Sequence, residues 1–405
     1  MSEFTTAMKA THTILIPSML PIHFEIIAGV LRHEGYKTEV LTTSHSAIAE
    51  EGLRSVHNDA CYPATLVIGQ FIDALKSGKY DPERTALMIT QTGGGCRASN
   101  YFALLRKALV RNGFAQIPVI SLNFSGLEEQ SGFKITTKIL KNMLSGFLYG
   151  DLLMTLRNQC LPYEVTKGSA EARVEYWTAF LLERLGNGEF NNLKLNYKQI
   201  IEDFAGIVCE RNITKPKVGI VGEIYVKYAP LGNNHLEDYL VAQGAEVVNS
   251  GVLDFLLYCL HTTIIDNELY GIKVGFINKV VMKLIMRRQK SMHKAVKKHS
   301  NGLFRPPADF KQVLKMNSGY ISHAVKMGEG WLLTAEMVEL LHSGVNNIVT
   351  VQPFGCLPNH IVAKGMMRKI KLKNPDANIA AIDYDPGASR VNQENRLRLM
   401  LANAK

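Results

Sequence analysis

The chain has 405 residues, enough for two or three domains, with 46% apolar and 20% charged residues, an ordinary globular balance. Six scattered cysteines are too few for a disulfide scaffold, and no CxxC pair or zinc-finger spacing occurs, so a reducing cytosolic setting is expected. The net charge of +10 is local: Leu269–Ala308 has no Asp or Glu but seven Lys and three Arg, so the rest of the chain sums to zero.

In chain order, Thr13–Pro17 reads as a buried strand, Pro21–Gly35 as a helix stopped by its glycine, and Lys37–Leu41 as a second strand. The rhythm continues with a helix over Tyr62–Ser77, a strand over Thr85–Thr90, a helix over Asn100–Gly113 and a strand over Pro118–Leu122. Residues 151–214 carry helical patterns without good strands (Asp151–Cys160, Ala170–Leu185, Leu195–Cys209). The β-α-β pattern resets at Lys217–Val221, with a helix over Asn233–Gln243 and a strand over Ala245–Val248. After the basic stretch, read as helical, come a helix over Gly330–Ser343, strand Asn347–Val351, helix His360–Lys371, strand Ile379–Asp383 and helix Gln393–Ala402. The predicted fold is α/β: two Rossmann- or flavodoxin-like parallel-sheet domains facing each other. They occupy residues 1–150 and 215–405, joined by a helical connector at 151–214, with a basic helical insertion at 266–318.

Three cysteines stand apart, each in a Gly/Pro-rich turn: Cys61 in HNDACYPA, Cys96 in TQTGGGCRASNY and Cys356 in VQPFGCLPNH. On this map all three lie where ligands gather, at the carboxyl ends of parallel strands, two from the first sheet and one from the second. Thiolates converging there suit an iron–sulfur cluster in the cleft between domains. A cubane takes one thiolate per iron, so three leave one iron open. Gly94 and Gly95 would let backbone N–H groups approach cluster sulfurs. Buried apolar cysteines are the other reading of the same spacing, and a structural zinc would need a fourth ligand such as His57 or His360. For Cys160, Cys209 and Cys259, in apolar helical surroundings, burial as small hydrophobes is the expectation.

Several long segments resemble the 2-hydroxyacyl-CoA dehydratase family: VHNDACYPATLVIGQ, ITQTGGGCRASNYFALLRKAL, PYEVTKG, KVGIVGEIYVKYAPLGNN, GEGWLLTAEM, VQPFGCLPNHIVAKGM and IDYDPGASRVNQENR. The likeness is nearest to the dehydratase-like portion of large acyl-CoA dehydratase activase-related proteins and runs along almost the whole chain. It implies that Cys61, Cys96 and Cys356 bind a [4Fe-4S] cluster. It further implies an ATP-dependent activase, a separate iron–sulfur protein, that supplies one low-potential electron for radical dehydration or reduction of an acyl-CoA. That is hydro-lyase or iron–sulfur reductase chemistry. A non-catalytic electron relay or scaffold that docks an activase or sister subunit is the alternative. The family implies a dimer, with itself or a related subunit. With three matching cysteines, a double cubane is not expected.

Three further residues are weak catalytic candidates: Glu329 and Glu336 in GEGWLLTAEM, and His57 before Cys61. In the basic segment, Arg287, Arg288 and Lys290, with Lys283, Lys294 and Lys297, are candidates for CoA phosphates or for the activase. Nucleic acid is not an expected partner, because aromatic interleaving for base stacking is nearly absent. No membrane partner is expected either, the apolar runs being too short for a span.

Overall fold

The computed structural model describes residues 2–57, 59–90, 95–122, 131–273 and 276–404. It is α/β, with two four-stranded, all-parallel sheets. The first sheet contains β1 (Thr13–Pro17), β2 (Lys37–Leu41), β3 (Thr85–Thr90) and β4 (Val119–Leu122), in the order β2-β1-β3-β4. The second contains β5 (Lys217–Gly222), β6 (Glu246–Val248), β7 (Asn347–Pro353) and β8 (Asn378–Tyr384), in the equivalent order β6-β5-β7-β8. Both are Rossmann- or flavodoxin-like, and in each the order reverses between the first and third strands. Strands covered by helices on both faces carry continuous apolar runs, as in TILIP, TALMIT and NIVTV.

The helix Tyr62–Lys76 lies between the halves and is buried on all sides except at Asp73 and Lys76. Its Ile68, Phe71 and Ile72 share one apolar cluster with Leu15 and Leu87 of the first sheet and with Ile220, Val349 and Tyr384 of the second. A helix so enclosed holds both sheets to one core, and Cys61 stands at its N-cap.

Residue 150 falls inside the helix Thr137–Cys160, so the first sheet's last helix and the start of the connector are one element. Ser169–Gly186 and Leu193–Ala205 complete the helical layer, whose large buried residues include Tyr149, Trp177, Tyr197 and Phe204. Residue 266 likewise falls inside a helix, Val252–Tyr270, so the helical excursion begins before that position. Its partner, Phe276–His299, carries the basic residues and buries a stripe of Met282, Ile285, Gln289, Met292, His293 and Val296. The region predicted as one helix over His360–Lys371 is two, Leu357–Val362 and Met367–Lys373, parted by a 3-10 turn at Lys364–Met366 that contains Gly365. Among the described residues, no helix is long and apolar enough to cross a membrane.

One buried carboxylate ties the layers together. Asp151 lies 2.8 Å from His23 Nε2 on the helix Pro21–His33. It also accepts from the backbone N–H groups of Val252 (2.8 Å) and Leu253 (3.3 Å), the orphan donors at the start of Val252–Tyr270. Asp151→Ala removes all three partners from one buried point. We expect it to lower the unfolding free energy in urea titration by about 3–5 kcal/mol, with Asp151→Asn costing less.

Candidate metal centre

The turns that carry Cys61, Cys96 and Cys356 are neighbours beyond the carboxyl ends of the strands. Cys96 follows β3 and Cys356 follows β7, the corresponding third strands of the two sheets. The Tyr62 backbone N–H donates to the Phe354 carbonyl (2.9 Å), locking the Cys61 turn onto the Cys356 turn. Gly355, at φ +74°, lies where a Cβ would sit 3.0 Å from Cys61 Cα. Gly328, at φ +56°, lies where a Cβ would sit 3.2 Å from Pro358 and 3.9 Å from Cys96 Sγ. A side chain at either glycine would strain the backbone and push the thiol turns apart. Cys61 and Cys356 are buried, Cys96 is half-buried, and all three thiols are free.

Each thiol is placed by a helical start. Cys61 is the N-cap of Tyr62–Lys76, with Pro63 in the first turn, and its Sγ lies 3.0 Å from the Tyr101 hydroxyl. Cys96 caps the turn Arg97–Asn100 and accepts from the Ala98 N–H at 3.5 Å. Cys356 caps Leu357–Val362. These helix starts favour a thiolate, but burial opposes it more strongly. Burial pushes the Cys61 thiol up; burial, with Glu329, Glu223 and Cys61 nearby, pushes Cys96 up to about 11. Cys356 is driven well above the usual thiol range by burial and by the same two carboxyls.

Those carboxyls complete the centre. Glu223 follows β5 and caps Ile224–Tyr228, accepting from the Val226 N–H at 2.9 Å. Glu329 accepts from the Ile224 N–H at 2.9 Å, so both side chains serve the same helix start. Burial and the neighbouring Glu329 push Glu223 up to about 8, and burial raises Glu329 as well. Lys227 is paired with Glu336 at 3.0 Å, with Ser250 joining both, and Arg97 donates to the Asp59 carbonyl. Beside Cys61 a cleft of about 220 Å³ opens to the surface between His57, Asp59, Arg97, Tyr101 and Leu104.

The sequence candidates fall out unequally. Glu329 stands beside the thiols; Glu336 is held by Lys227 and Ser250; His57 lies on the outer wall of the cleft with its side chain 78% exposed, near Asp59. Gly95 packs under Met327, whereas Gly94 and Asn58 lie outside the described residues. Among the described residues, Arg287, Arg288 and Lys290 share no hydrogen bond or ion pair with this centre, and Arg288 is half-buried on the connector side near Tyr149 and Tyr197. Asn359 donates to the Val351 carbonyl and Lys364 pairs with Asp383 (3.2 Å), structural roles in both cases. Cys160 is buried, as expected, and Cys209 is half-buried; Cys259 is exposed, on a helix whose apolar residues run all round and so do not mark its buried side. Sequence reasoning passed over Glu223 and Tyr101. Glu223 carried a signal, an acid directly after the strand KVGIVG, where a parallel sheet places its ligands.

No protein-family model matches the chain, and no curated protein is detectably similar to it. Among the described residues, no three His, Cys, Asp or Glu side chains form a group that could hold a metal ion. Three free thiols in neighbouring turns are nevertheless the donor type that an iron–sulfur group takes.

A carboxyl whose folded pKa is raised holds a proton that the unfolded chain has already lost. The metal-free protein is therefore expected to lose stability as pH rises from about 5 to about 8, the window set by Glu223. Glu223→Gln should flatten that slope in urea titrations at a series of pH values. An unchanged slope would mean that Glu223 ionises as freely folded as unfolded.

Proposed function

We propose that this chain is an iron–sulfur protein of the 2-hydroxyacyl-CoA dehydratase kind. In this reading Cys61, Cys96 and Cys356 hold a [4Fe-4S] cluster with one iron free of protein thiolate. When bound, such a cluster supplies one-electron chemistry at an acyl-CoA thioester or a similar acceptor, after a separate ATP-dependent activase has delivered the electron. The observation that supports the reading is that three free thiols stand in neighbouring turns, two of them following the corresponding third strands of the two sheets.

The chain's own residues then have distinct tasks. Tyr101, 3.0 Å from Cys61, and the Ala98 N–H, 3.5 Å from Cys96, donate to sulfur and stabilise thiolate charge. The protonated form of Glu223, favoured up to about pH 8, keeps the site from accumulating a second buried anion and holds a proton close to the thiols. Trp331, two residues beyond Glu329, is fully buried and edge-on to Tyr258 at 5.2 Å between ring centroids, which ties this loop-to-helix junction to the core. The cleft beside Cys61 is the approach from the surface.

The test is anaerobic turnover. Protein reconstituted with iron and sulfide, supplied with activase, ATP, a low-potential reductant and a 2-hydroxyacyl-CoA, is expected to release water and form the enoyl-CoA. Tyr101→Phe should retain the cluster but shift its reduction potential, since it loses one hydrogen bond to sulfur. Cluster-loaded protein that turns over no acyl-CoA with a competent activase would leave an electron relay or docking scaffold as the reading.

A further inference from the structure

The helices Val252–Tyr270 and Phe276–His299 pack as a hairpin, with Lys326 pairing with Asp266 and lying 5.7 Å from the Tyr270 ring centroid near the end of the first arm. The first arm is last buried at Ile265, and every residue from Glu268 to Lys273 is exposed. The second arm carries two apolar stripes. One, from Met282 to Val296, is the buried stripe that packs into the molecule. The other lies on a different side of the first turns: Phe276, Ile277, Val280, Val281 and Leu284 are 81%, 72%, 46%, 36% and 45% exposed. Positions 276, 280 and 284 recur at helical spacing, so they make a ridge. Across the tip, Leu269, Tyr270 and Ile272 are 54%, 61% and 56% exposed. One exposed apolar residue needs no explanation, but a contiguous set of this size does.

The ridge has cations and no acids. Lys273, Lys279 and Lys283 lie within the apolar span, and Arg287 and Lys290 follow on the next turns. None of the five forms an ion pair among the described residues, and the sequence from Leu269 to Ala308 offers no acid to pair with. Tyr270 and Asn278 are the two uncharged side chains with hydrogen-bonding groups between Leu269 and Leu284, so the patch offers few neutral partners for a protein-recognition rim. A second copy of the chain would bring lysines to this patch and no acids from it. A surface that presents phosphates diffusely over an apolar interior suits both features at once. The apolar tip can enter the acyl boundary while the lysines behind it reach headgroup phosphates.

We propose that this hairpin tip docks on an anionic phospholipid surface. The contact is peripheral and asks for no membrane span. It revises the expectation of no membrane partner, which rested on span length alone. It stands on the exposure of the ridge and is independent of the function proposed for the thiol centre.

The test is co-sedimentation of the full chain with vesicles of phosphatidylglycerol and phosphatidylcholine, against vesicles of phosphatidylcholine alone. Binding is expected to the anionic vesicles and to weaken with added salt. Lys279→Glu with Lys283→Glu should weaken it at least about tenfold, from roughly fivefold per charge. Phe276→Asp with Ile277→Asp should abolish it. Both pairs lie on an exposed surface, and circular dichroism checks that they fold. Three outcomes overturn the proposal: no binding to anionic vesicles, binding that survives both double variants, or a dimer that the Phe276/Ile277 variant converts to monomer without any vesicle binding by the parent chain.

Discussion

The architecture turns on crowding acidic groups into a buried site. Three thiols and two carboxyls are neighbours beyond the carboxyl ends of the strands, where Lys227 is paired with Glu336 and Arg97 donates to the Asp59 carbonyl. Such a set stays neutral on its own: burial raises every thiol, and Glu223 holds its proton to about pH 8. A cation-rich group inverts that balance by stabilising the thiolates that burial opposes. The surrounding fold serves this crowding. Tyr62–Lys76 fixes Cys61 from a helix enclosed between the two halves, and the glycines at 328 and 355 let the three turns close on one another.

The repeated sheet order gives this site its logic. In each sheet a cysteine follows the third strand, Cys96 after β3 and Cys356 after β7. The third thiol, that of Cys61, comes from the N-cap of the helix between the two halves. Glu223 enters from the first strand of the second sheet, beside the point where the strand order reverses. The candidate residues thus stand where a parallel sheet gathers its ligands, past the carboxyl ends of its strands.

Much of this was legible in the sequence, and the exceptions have physical causes. Thr13–Pro17, Lys37–Leu41 and Thr85–Thr90 match their predicted limits, because buried parallel strands are short apolar runs with sharp turn signals. The sequence marks helical surroundings for Cys259 but sets no limits for Val252–Tyr270, which is apolar on several sides and lacks a clean 3.6-residue pattern. The cysteines could be singled out by their turns and Glu223 by its place directly after a strand, whereas Tyr101 could not: its role arises from tertiary approach, 3.0 Å from hydroxyl to sulfur. The basic segment showed its charge in the sequence but not the second apolar stripe, because only the packing reveals which face of Phe276–His299 is spent on the core.

The central claim is that Cys61, Cys96 and Cys356 act as one ligand set. The most direct measurement is iron and acid-labile sulfide content, with EPR of the reduced protein, for the parent chain and for each single Cys→Ser variant after anaerobic reconstitution. The account predicts about four irons and four sulfides per parent chain, with each of the three substitutions lowering iron content or changing the signal and Cys160→Ser leaving both unaltered. Iron content and an EPR signal that persist unchanged in any one of the three variants, or a parent chain that takes up no iron, would contradict it.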